Sequence, residues 1–575
     1  MARRGGSIHV VTNRRVGSGG GEYVTHLLRR TYREGARVRN ETVGNVSHLP
    51  EELVGLIRRY LRGERFLSLE DSFAVERSLP HGHVEAALAM ARRLEFARLL
   101  DRSPSRERAL CLAMVVERVL SPASKLATAR ALADSTLASE LAVEDLDEDD
   151  LYAALDWLTE RQPAIERRLA RRHLRPGEHA LYDVSSSYFE GRSCPLAQLG
   201  YSRDRRRGSL QLVYGLLCDR RGRPLAVEVF PGSLHDDQTV PDRLAALSDR
   251  FGCERLVLCV DRGMVTEANL DAIGQAGFAF ISALRAPQVK RLAKQGALQL
   301  SLLDQLDLAE IESDDFPDER LVVCRNPLVG AERSRKREAL LQATEVELEA
   351  IAARVERGTL RGEAEIGLAV GAVWNRHRVK KHFRVEIGDT TLRFERREAE
   401  IAAEAALDGI YILHTTVPAE QLPADDVVRS YKQLAHVERA HRSLKGPDLE
   451  LRPIHHRREA RVRAHVFLCT LAYYLEWHLR YCWRELLYAD ERPPLAADPV
   501  KPSQRSPQAE RKAQRKRTAN GDPCHSWPTL LRHLSLRCRN TIRLAGTSAV
   551  FDRLTEPTPV QARALELVRT AALPP

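Results

Sequence analysis

Paired cysteines, long apolar runs and aromatic side chains are all scarce in this sequence of 575 residues. The ten cysteines are scattered and include no CxxC pair, so neither a zinc knuckle nor a disulfide framework is indicated, and a reducing compartment is favoured. The longest apolar run, VFLCTLAYYL from Val466, ends at Glu476 and is too short to span a membrane. The N-terminal MARRGGSIHV has no apolar stretch long enough for a signal peptide. We therefore expect a cytoplasmic protein with no membrane partner.

Aromatic residues make up only 6% of the chain, which disfavours an enzyme that cleaves sugars, because sugar sites commonly stack on aromatic rings. Lysine and arginine outnumber aspartate and glutamate by 89 to 79, so the formal net charge is +10. A basic chain of this kind favours a polyanionic partner such as nucleic acid. With 43% apolar residues the chain should fold into globular domains, and its 575 residues exceed what a single hydrophobic core usually supports. We therefore expect two to four domains.

The pattern of predicted elements divides the chain. Residues 1–175 begin with short β-like pieces and continue with stretches of helical periodicity, which predicts an N-terminal module. Residues 178–285 hold three strand-like runs and then alternate helices with strands. This order predicts an α/β fold, in which an antiparallel meander extends into a mixed sheet with helices on its faces. Residues 286–425 interrupt that pattern over a length that indicates an inserted subdomain.

The C-terminal part of the chain contains a predicted helix and a basic segment. Residues 426–490 return to the core with a helix that begins near Val427 and stops at Gly446-Pro447. Residues 491–575 comprise a basic linker and a short helical tail. The linker, at 500–520, is polar and rich in lysine and arginine, so we expect it to be mobile.

Three carboxylates are the candidate reactive groups. Asp183 in ALYDVSSSYFEG and Asp261 in RLVLCVDRG each end a strand-like run, where ligands bind in open α/β sheets. A helix cap or a turn would explain either aspartate alone equally well. Glu438 shares one face of its predicted helix with Tyr431 and Lys445. The alternative to a catalytic role is a solvent-exposed helix face on which Glu438 forms surface ion pairs.

Carboxylates from two strands and a helix suit hard divalent cations such as Mg²⁺ or Mn²⁺. Two such ions about 4 Å apart can activate a water or a 3′-hydroxyl and stabilise the leaving oxygen in phosphodiester cleavage. We therefore expect Asp183, Asp261 and Glu438 to be both the catalytic residues and the ligands of two metal ions. A serine nucleophile beside Asp183 is disfavoured, because no GxSxG motif surrounds Ser185, Ser186 and Ser187.

The helix with Glu438 resembles the Y-(2)-R-(3)-E-(6)-K signature of bacterial insertion-sequence transposases of the DDE type, in their IS-four-like group. Tyr431, Glu438 and Lys445 fall at the spacing of the signature, and Leu434 replaces its arginine. The family's two aspartates match Asp183 and Asp261.

Other stretches resemble the same family. PGSLHDDQT is similar to P-G-N-x-x-D-x-x-T, with Ser233 in place of asparagine and with Asp236 and Thr239 retained. LSPASKLATARAL and RPIHHR are similar to family stretches outside the active site. The resemblance extends from about residue 20 to 485.

The resemblance implies a transposase that cleaves DNA and transfers strands for its own insertion sequence. It implies an RNase H-like mixed sheet flanked by helices, a mainly β insertion, and a mostly helical N-terminal module that binds DNA ends. The implied partners are terminal inverted repeats, target DNA and a second copy of the chain. The residues expected to bind DNA are Tyr431, Arg442, Lys445, Arg452, Arg457 and Arg458.

Two other functions remain open from the sequence. A transposase-derived DNA-binding protein could have lost catalysis, and Leu434 and Ser233 leave room for that. An RNase H-fold nuclease would use the same triad but would not need the N-terminal module or the insertion. A metal cluster at His455 and His456 is disfavoured, because the surrounding arginines indicate a basic surface that contacts phosphates.

Overall fold

The computed structural model describes residues 6–16, 21–64, 66, 72–175, 178–204, 206, 208–235, 239, 256–299, 303, 307–545 and 547–574. They belong to two units, which are called the terminal unit (Met1–Ser78 with Arg539–Leu554) and the main unit (Leu79–Cys538 with Thr555–Pro575). In the described part of the chain, no helix combines the length and apolar character that a membrane crossing requires.

Strands and helices alternate along much of the chain. The strands are β1 (Ser7–Val16), β2 (Glu22–Glu34), β3 (Arg37–Asn45), β4 (Phe73–Pro80), β5 (His179–Tyr188), β6 (Gln198–Leu199), β7 (Leu210–Asp219), β8 (Pro224–Pro231), β9 (Val257–Val260), β10 (Ala279–Ala283), β11 (Leu308–Ile311), β12 (Arg320–Arg325), β13 (Phe383–Gly388), β14 (Thr391–Arg396), β15 (Ile410–Thr415), β16 (Cys538–Leu544) and β17 (Val550–Leu554). The helices are α1 (Glu51–Leu61), α2 (Gly82–Arg93), α3 (Phe96–Leu100), α4 (Arg106–Leu120), α5 (Lys125–Ala131), α6 (Leu137–Leu141), α7 (Glu148–His173), α8 (Glu267–Gln275), α9 (Ala286–Lys294), α10 (Pro327–Glu356), α11 (Glu363–His377), α12 (Glu398–Ala405), α13 (Ala424–Lys432), α14 (Leu434–Lys445), α15 (Glu459–Cys482), α16 (Pro507–Arg515), α17 (Trp527–Ser535) and α18 (Pro559–Thr570).

The terminal unit contains an antiparallel sheet of β1, β2 and β3. Helix α1 covers one face of this sheet: the guanidinium of Arg58 lies 3.2 Å from Nδ1 of His26, and Leu56 lies beside Ile8 and Leu28 in an apolar hollow. The strands β4, β16 and β17, which belong almost wholly to this unit, form a second sheet. The helices α2–α7 of the predicted N-terminal module belong instead to the main unit.

A nine-stranded sheet forms the centre of the main unit, in the order β11-β12-β15-β10-β9-β5-β7-β6, with β8 paired to β7. Strands β5, β7 and β8 make an antiparallel meander, and β9 and β10 join it through parallel pairing. Helices α7, α13, α14 and α15 pack against these strands. The run LQLVYGLLCD of β7 is almost wholly buried, as expected for a strand that is covered on both faces. The predicted mixed α/β sheet is confirmed.

The expectation of a mainly β insertion is wrong. Strands β11, β12 and β15 belong to the central sheet, and the segment between β12 and β15 is mostly the helices α10 and α11 with the β13–β14 hairpin. Alanine, leucine, glutamate and arginine, which favour helices, dominate α10. Its Leu341 and Leu348 pack with Ile366 of α11 in a separate small core. The ends of this insertion meet where the N–H of Asn326 donates to the carbonyl of Gly409 at 2.9 Å.

The expectation of a mobile basic linker at 500–520 is also wrong, because this segment contains α16. Lys512 in α16 is only 3% exposed. Its ammonium donates to three backbone carbonyls between 484 and 489, at 3.0–3.2 Å, and to the carboxylate of Glu491 at 2.8 Å. These bonds replace the hydration of the charge and fix the segment to the main unit.

The turn between β7 and β8 connects the sheet to α14. Oδ1 of Asp219 accepts the backbone N–H groups of Arg221 and Arg223 at 3.0 and 2.8 Å, and Oδ2 accepts Nε of Arg223 at 2.6 Å. Gly222 has φ +82°, and a Cβ there would lie 2.8 Å from Cβ of His436 in α14. The turn therefore sets how closely α14 approaches the sheet.

Asp219→Asn should lower the free energy of unfolding by about 3–5 kcal/mol, because it removes the carboxylate that pairs with the buried guanidinium of Arg223. Urea titration followed by circular dichroism measures this loss. As a control, Glu395→Gln removes one member of an exposed ion pair with Arg384, whose side chains are 67% and 62% exposed, and should change stability by less than about 0.5 kcal/mol. Similar small losses in both variants would contradict the structural role of the turn.

Candidate active site

The register of the central sheet brings Asp183 and Asp261 together. Parallel pairing of β5 with β9 aligns Tyr182 with Val260, so the next residue on each strand is one of the two aspartates. Neighbouring strands lie about 4.8 Å apart, and residues at corresponding positions direct their Cβ atoms to the same face. The two carboxylates predicted from separate sequence motifs are therefore neighbours at the edge of the sheet where β9 ends. The expectation that Asp183 ends its strand is wrong, because β5 continues to Tyr188.

Helix α14 brings Glu438 to the same edge, because α14 packs against β5. His441, one turn after Glu438, places its Nε2 3.4 Å from the carbonyl oxygen of Asp183 and 3.8 Å from Oδ2 of that residue. His441 is buried, whereas Glu438 is exposed. The imidazole thus fixes the helix to the strand one turn away from the third carboxylate.

Asp183 is half-buried, whereas Asp261 and Glu438 are exposed, so its charge is the least well solvated of the three. Burial, together with the negative charges of Asp261 and Glu438, raises its pKa to about 7. The backbone N–H of Val184, 2.8 Å from Oδ1, and the nearby charge of Arg203 oppose this rise and keep the pKa from going higher. Negative charge is therefore in excess at this edge of the sheet.

The three carboxylates are suitable ligands for a metal ion, but their side chains do not form a closed ligand set. Across the described ranges, no three Asp, Glu, His or Cys side chains form a group that could already ligate a metal. The donor set nevertheless consists of oxygen alone, as hard divalent cations require, and the raised pKa of Asp183 marks where a cation would be stabilised.

The predicted continuous helix from Val427 to Lys445 is wrong, because it divides at Gln433 into α13 and α14. Gln433 keeps helical backbone angles, but the N–H of His436 bonds to its carbonyl at 2.8 Å, three residues back instead of four. Tyr431 ends up near Asp261, and burial together with that carboxylate raises the pKa of the Tyr431 hydroxyl.

Leu434 stands where the family signature has arginine. Leu434 has a structural role instead, because its side chain packs against the hydrophobic core of the main unit. No phosphate contact is available to an apolar side chain, so any cation that serves in place of the arginine must come from another position.

Lys445 is not a free cation. Its Nζ lies 3.3 Å from Oδ1 of Asp204, and Nη1 of Arg452 lies 3.0 Å from Oδ2 of the same carboxylate. Arg452 also donates to the carbonyl of Lys445 at 3.1 Å. The sequence gives no signal for Asp204 as a site residue, because this aspartate lies within the basic run RDRRR that begins at Arg203.

The other predicted site residues have varied positions. Arg442, Arg457 and Arg458 are exposed. Ser186, beside Asp183, donates to the carbonyl of Tyr201 and accepts the N–H of Arg203, so its hydroxyl holds a loop. Asp236 lies outside the described residues, as does most of QTVPDRLAALSDRF, which is one of the helical stretches predicted within residues 178–285.

Comparison with known proteins adds three findings. A family model described as a transposase DDE domain matches residues 178–475. No curated protein sequence matches this chain. Among solved structures, a piggyBac transposase in a synaptic complex with hairpin DNA is similar, with a TM-score of 0.32 and 9% sequence identity over 79% of this chain and 76% of the other. Because the family match spans more than half of the 575 residues, and includes Asp183, Asp261 and Glu438, this chain belongs to the family of transposases with a DDE domain.

Proposed function

We propose that this transposase cleaves DNA and transfers strands at the ends of an insertion sequence, with Asp183, Asp261 and Glu438 as its catalytic carboxylates. The observation that supports this most directly is the register of β5 and β9, which makes the two aspartates neighbours on the strand that α14 contacts. The meander that continues into two parallel strands supports an RNase H-like core. Transposases of the DDE family generally use divalent metal ions.

The three carboxylates would hold two Mg²⁺ or Mn²⁺ ions. When bound, the ions would activate a water or a 3′-hydroxyl and stabilise the leaving oxygen. His441 serves this site without adding charge: burial and nearby Lys445 lower its pKa to about 3, so the imidazole is neutral near pH 7. A neutral imidazole positions Asp183 and leaves its charge for the metal.

Two further groups act beside the carboxylates. Burial and the charge of Asp261 raise the pKa of the Tyr431 hydroxyl further above neutral pH, and the protonated hydroxyl is a hydrogen-bond donor near that carboxylate. Asp204 holds Lys445 and Arg452 together, so their charges have fixed positions from which to contact phosphate. The role of the missing signature arginine would then pass to Arg452.

We also propose that the terminal unit binds duplex DNA through the sheet of β1, β2 and β3. In sequence, this unit has 17 lysines and arginines against 10 aspartates and glutamates, so its 94 residues account for +7 of the net charge of +10. A surface with that charge attracts a polyanion, and a β-sheet can lie in the major groove of DNA.

The acidic side chains of this sheet lie on the face that α1 covers. Alternation along the strands, with the observed pairing, puts Arg15, Arg29 and Arg33 on the opposite face, which has no carboxylate from any of the three strands. We call this opposite face, which α1 does not cover, the open face. Tyr23 also lies on the open face and is 69% exposed. The three ion pairs of the covered face are Arg14–Glu22, Arg30–Glu41 and Arg39–Glu34, at 3.5, 3.8 and 2.7 Å.

A homodimer on DNA, which would hold two ends together, is part of this proposal. The two alternatives differ in what they would do to DNA. A transposase-derived DNA-binding protein would bind ends without cutting them, and a nuclease would cut DNA without joining a 3′ end to a new strand. Assays for cleavage and for joining therefore separate the three functions.

Asp183→Asn, Asp261→Asn and Glu438→Gln should each abolish Mg²⁺-dependent nicking of supercoiled DNA while DNA binding persists, because each removes a metal ligand. The melting temperature should not fall, since each change removes one of three mutually repelling charges. Glu420→Gln, at an exposed acid before α13, is the control and should retain activity. Cutting without a divalent metal, or full activity in any of the three variants, would refute the assignment.

Replacing Arg15, Arg29 and Arg33 together by glutamine should weaken binding to a 25-base-pair duplex. It should also lower the slope of log affinity against log salt by about 3, because each phosphate contact contributes about 0.9. The matched variant replaces Arg14, Arg30 and Arg39, which already have carboxylate partners, and should change the slope by less than 1. Equal slopes in the two variants would show that the open face has no special role. Fluorescence anisotropy in EDTA makes the measurement.

A further inference from the structure

A basic pocket of about 430 Å³ lies in the main unit, where two distant sequence stretches meet. One is LSPASKLATARAL, which provides Ser124 and Lys125, and the other is RPIHHR, which provides Arg452, His456 and Arg457. Neither stretch contains any of the three carboxylates. The proposed catalysis therefore leaves the role of this pocket unexplained.

Positive charge dominates the lining. Six lysine or arginine side chains face one carboxylate, that of Glu450. Arg461 is already paired with Asp156 at 2.9 Å, and Arg452 with Asp204 at 3.0 Å. Arg457 and Arg458 are exposed, and within the described residues neither has an ion-pair partner. The pocket thus offers cations whose charge the protein does not neutralise.

Lys125 is the most unusual of these cations, because its side chain is buried at 4% exposure and lines the pocket. Within the described part of the chain it finds no carboxylate and no hydrogen-bond acceptor, and Arg118 is a close like charge. Burial and Arg118 lower its pKa to about 7. Lys512, equally buried at 3% exposure, has four acceptors instead. An isolated buried ammonium is costly unless an anion joins it.

We propose that this pocket binds a phosphate of a DNA strand, with Lys125, Arg457 and Arg458 as the contacts. The volume is sufficient for a nucleotide. Tyr152 lies in the lining with the guanidinium of Arg461 4.8 Å from its ring centre, and aromatic and arginine groups of this kind stack on bases.

The pocket is connected to the active site through Arg452. This residue lines the pocket and also shares Asp204 with Lys445, which lies on the same helix as Glu438. A strand held by Lys125 would therefore continue toward the carboxylates. This inference rests on the proposed function in one respect, namely that DNA is the source of the phosphate.

The first test compares the two buried lysines in the full-length protein without DNA. Lys125→Met should raise the melting temperature by about 3 °C or more, because it removes an unpartnered buried charge and keeps the volume. Lys512→Met should lower the melting temperature, because it leaves carbonyls and Glu491 without their donor. A fall in the Lys125→Met variant would mean that the ammonium is satisfied within the protein, and would overturn the proposal.

The second test measures binding of a 25-base-pair duplex with a single-stranded overhang in EDTA, so that a loss of cleavage cannot affect it. Lys125→Met should weaken binding at least 10-fold and lower the salt slope by about 1. Arg457→Gln with Arg458→Gln, at exposed positions that do not affect folding, should lower the slope by about 2. Unchanged affinity in both variants would overturn the proposal, even if the protein cuts DNA.

A third measurement identifies the source of the phosphate. Millimolar pyrophosphate should raise the melting temperature of the wild-type protein but not of Lys125→Met, because the anion needs the ammonium. If pyrophosphate gave this difference while DNA affinity stayed equal in the two proteins, the pocket would bind free phosphate compounds and the assignment to a DNA strand would be wrong.

Discussion

Repulsion among like charges at the edge of a buried sheet is the constraint on which the main unit depends. Asp183 is flanked by Asp261 on the neighbouring strand and by Glu438 on the helix that crosses its own strand. A fold can tolerate this only if the surrounding elements are rigid, because any freedom would let the carboxylates separate into solvent. Buried strands, the β7–β8 turn and the neutral His441 provide that rigidity.

The positive charges divide into those that the protein neutralises and those that it leaves for a ligand. Arg223 and Lys512 are buried, each with a set of acceptors that includes a carboxylate and a backbone carbonyl, and they stabilise the fold. Lys125 has no such set, and the open face of the terminal sheet has arginines without carboxylates. The net charge of +10 does not distinguish the two groups, because it counts every cation equally. Only the second group is available to bind a polyanion.

The sequence was sufficient for features that depend on local pattern. Asp261 follows an apolar run, and its position directly after β9 was predictable, whereas Asp183 lies in the middle of β5 because the strand continues through the serines to Tyr188. The meander followed from three strand-like runs. The break at Gln433 was not predictable, since neither proline nor glycine marks it. Helix α11 was missed because GLAVGAVWN contains glycines and valines that are typical of other structures, and only its packing on α10 stabilises it. Burial of Lys125 depends on a stretch more than 300 residues away, which no local pattern reveals.

The helical insertion is connected to the central sheet at Asn326 and Gly409, and this arrangement has a consequence for the evolution of the protein. The helical insertion begins and ends on two hydrogen-bonded strands, and the backbone bond from Asn326 to Gly409 closes its base, where the side-chain amide of Asn326 also donates to the carbonyl of Val500. Its apolar residues form a core of their own. A segment attached in this way can lengthen, shrink or be exchanged at little cost beyond that of closing a loop. Selection could therefore reshape the appendage freely while the sheet kept its register and the acidic edge stayed intact.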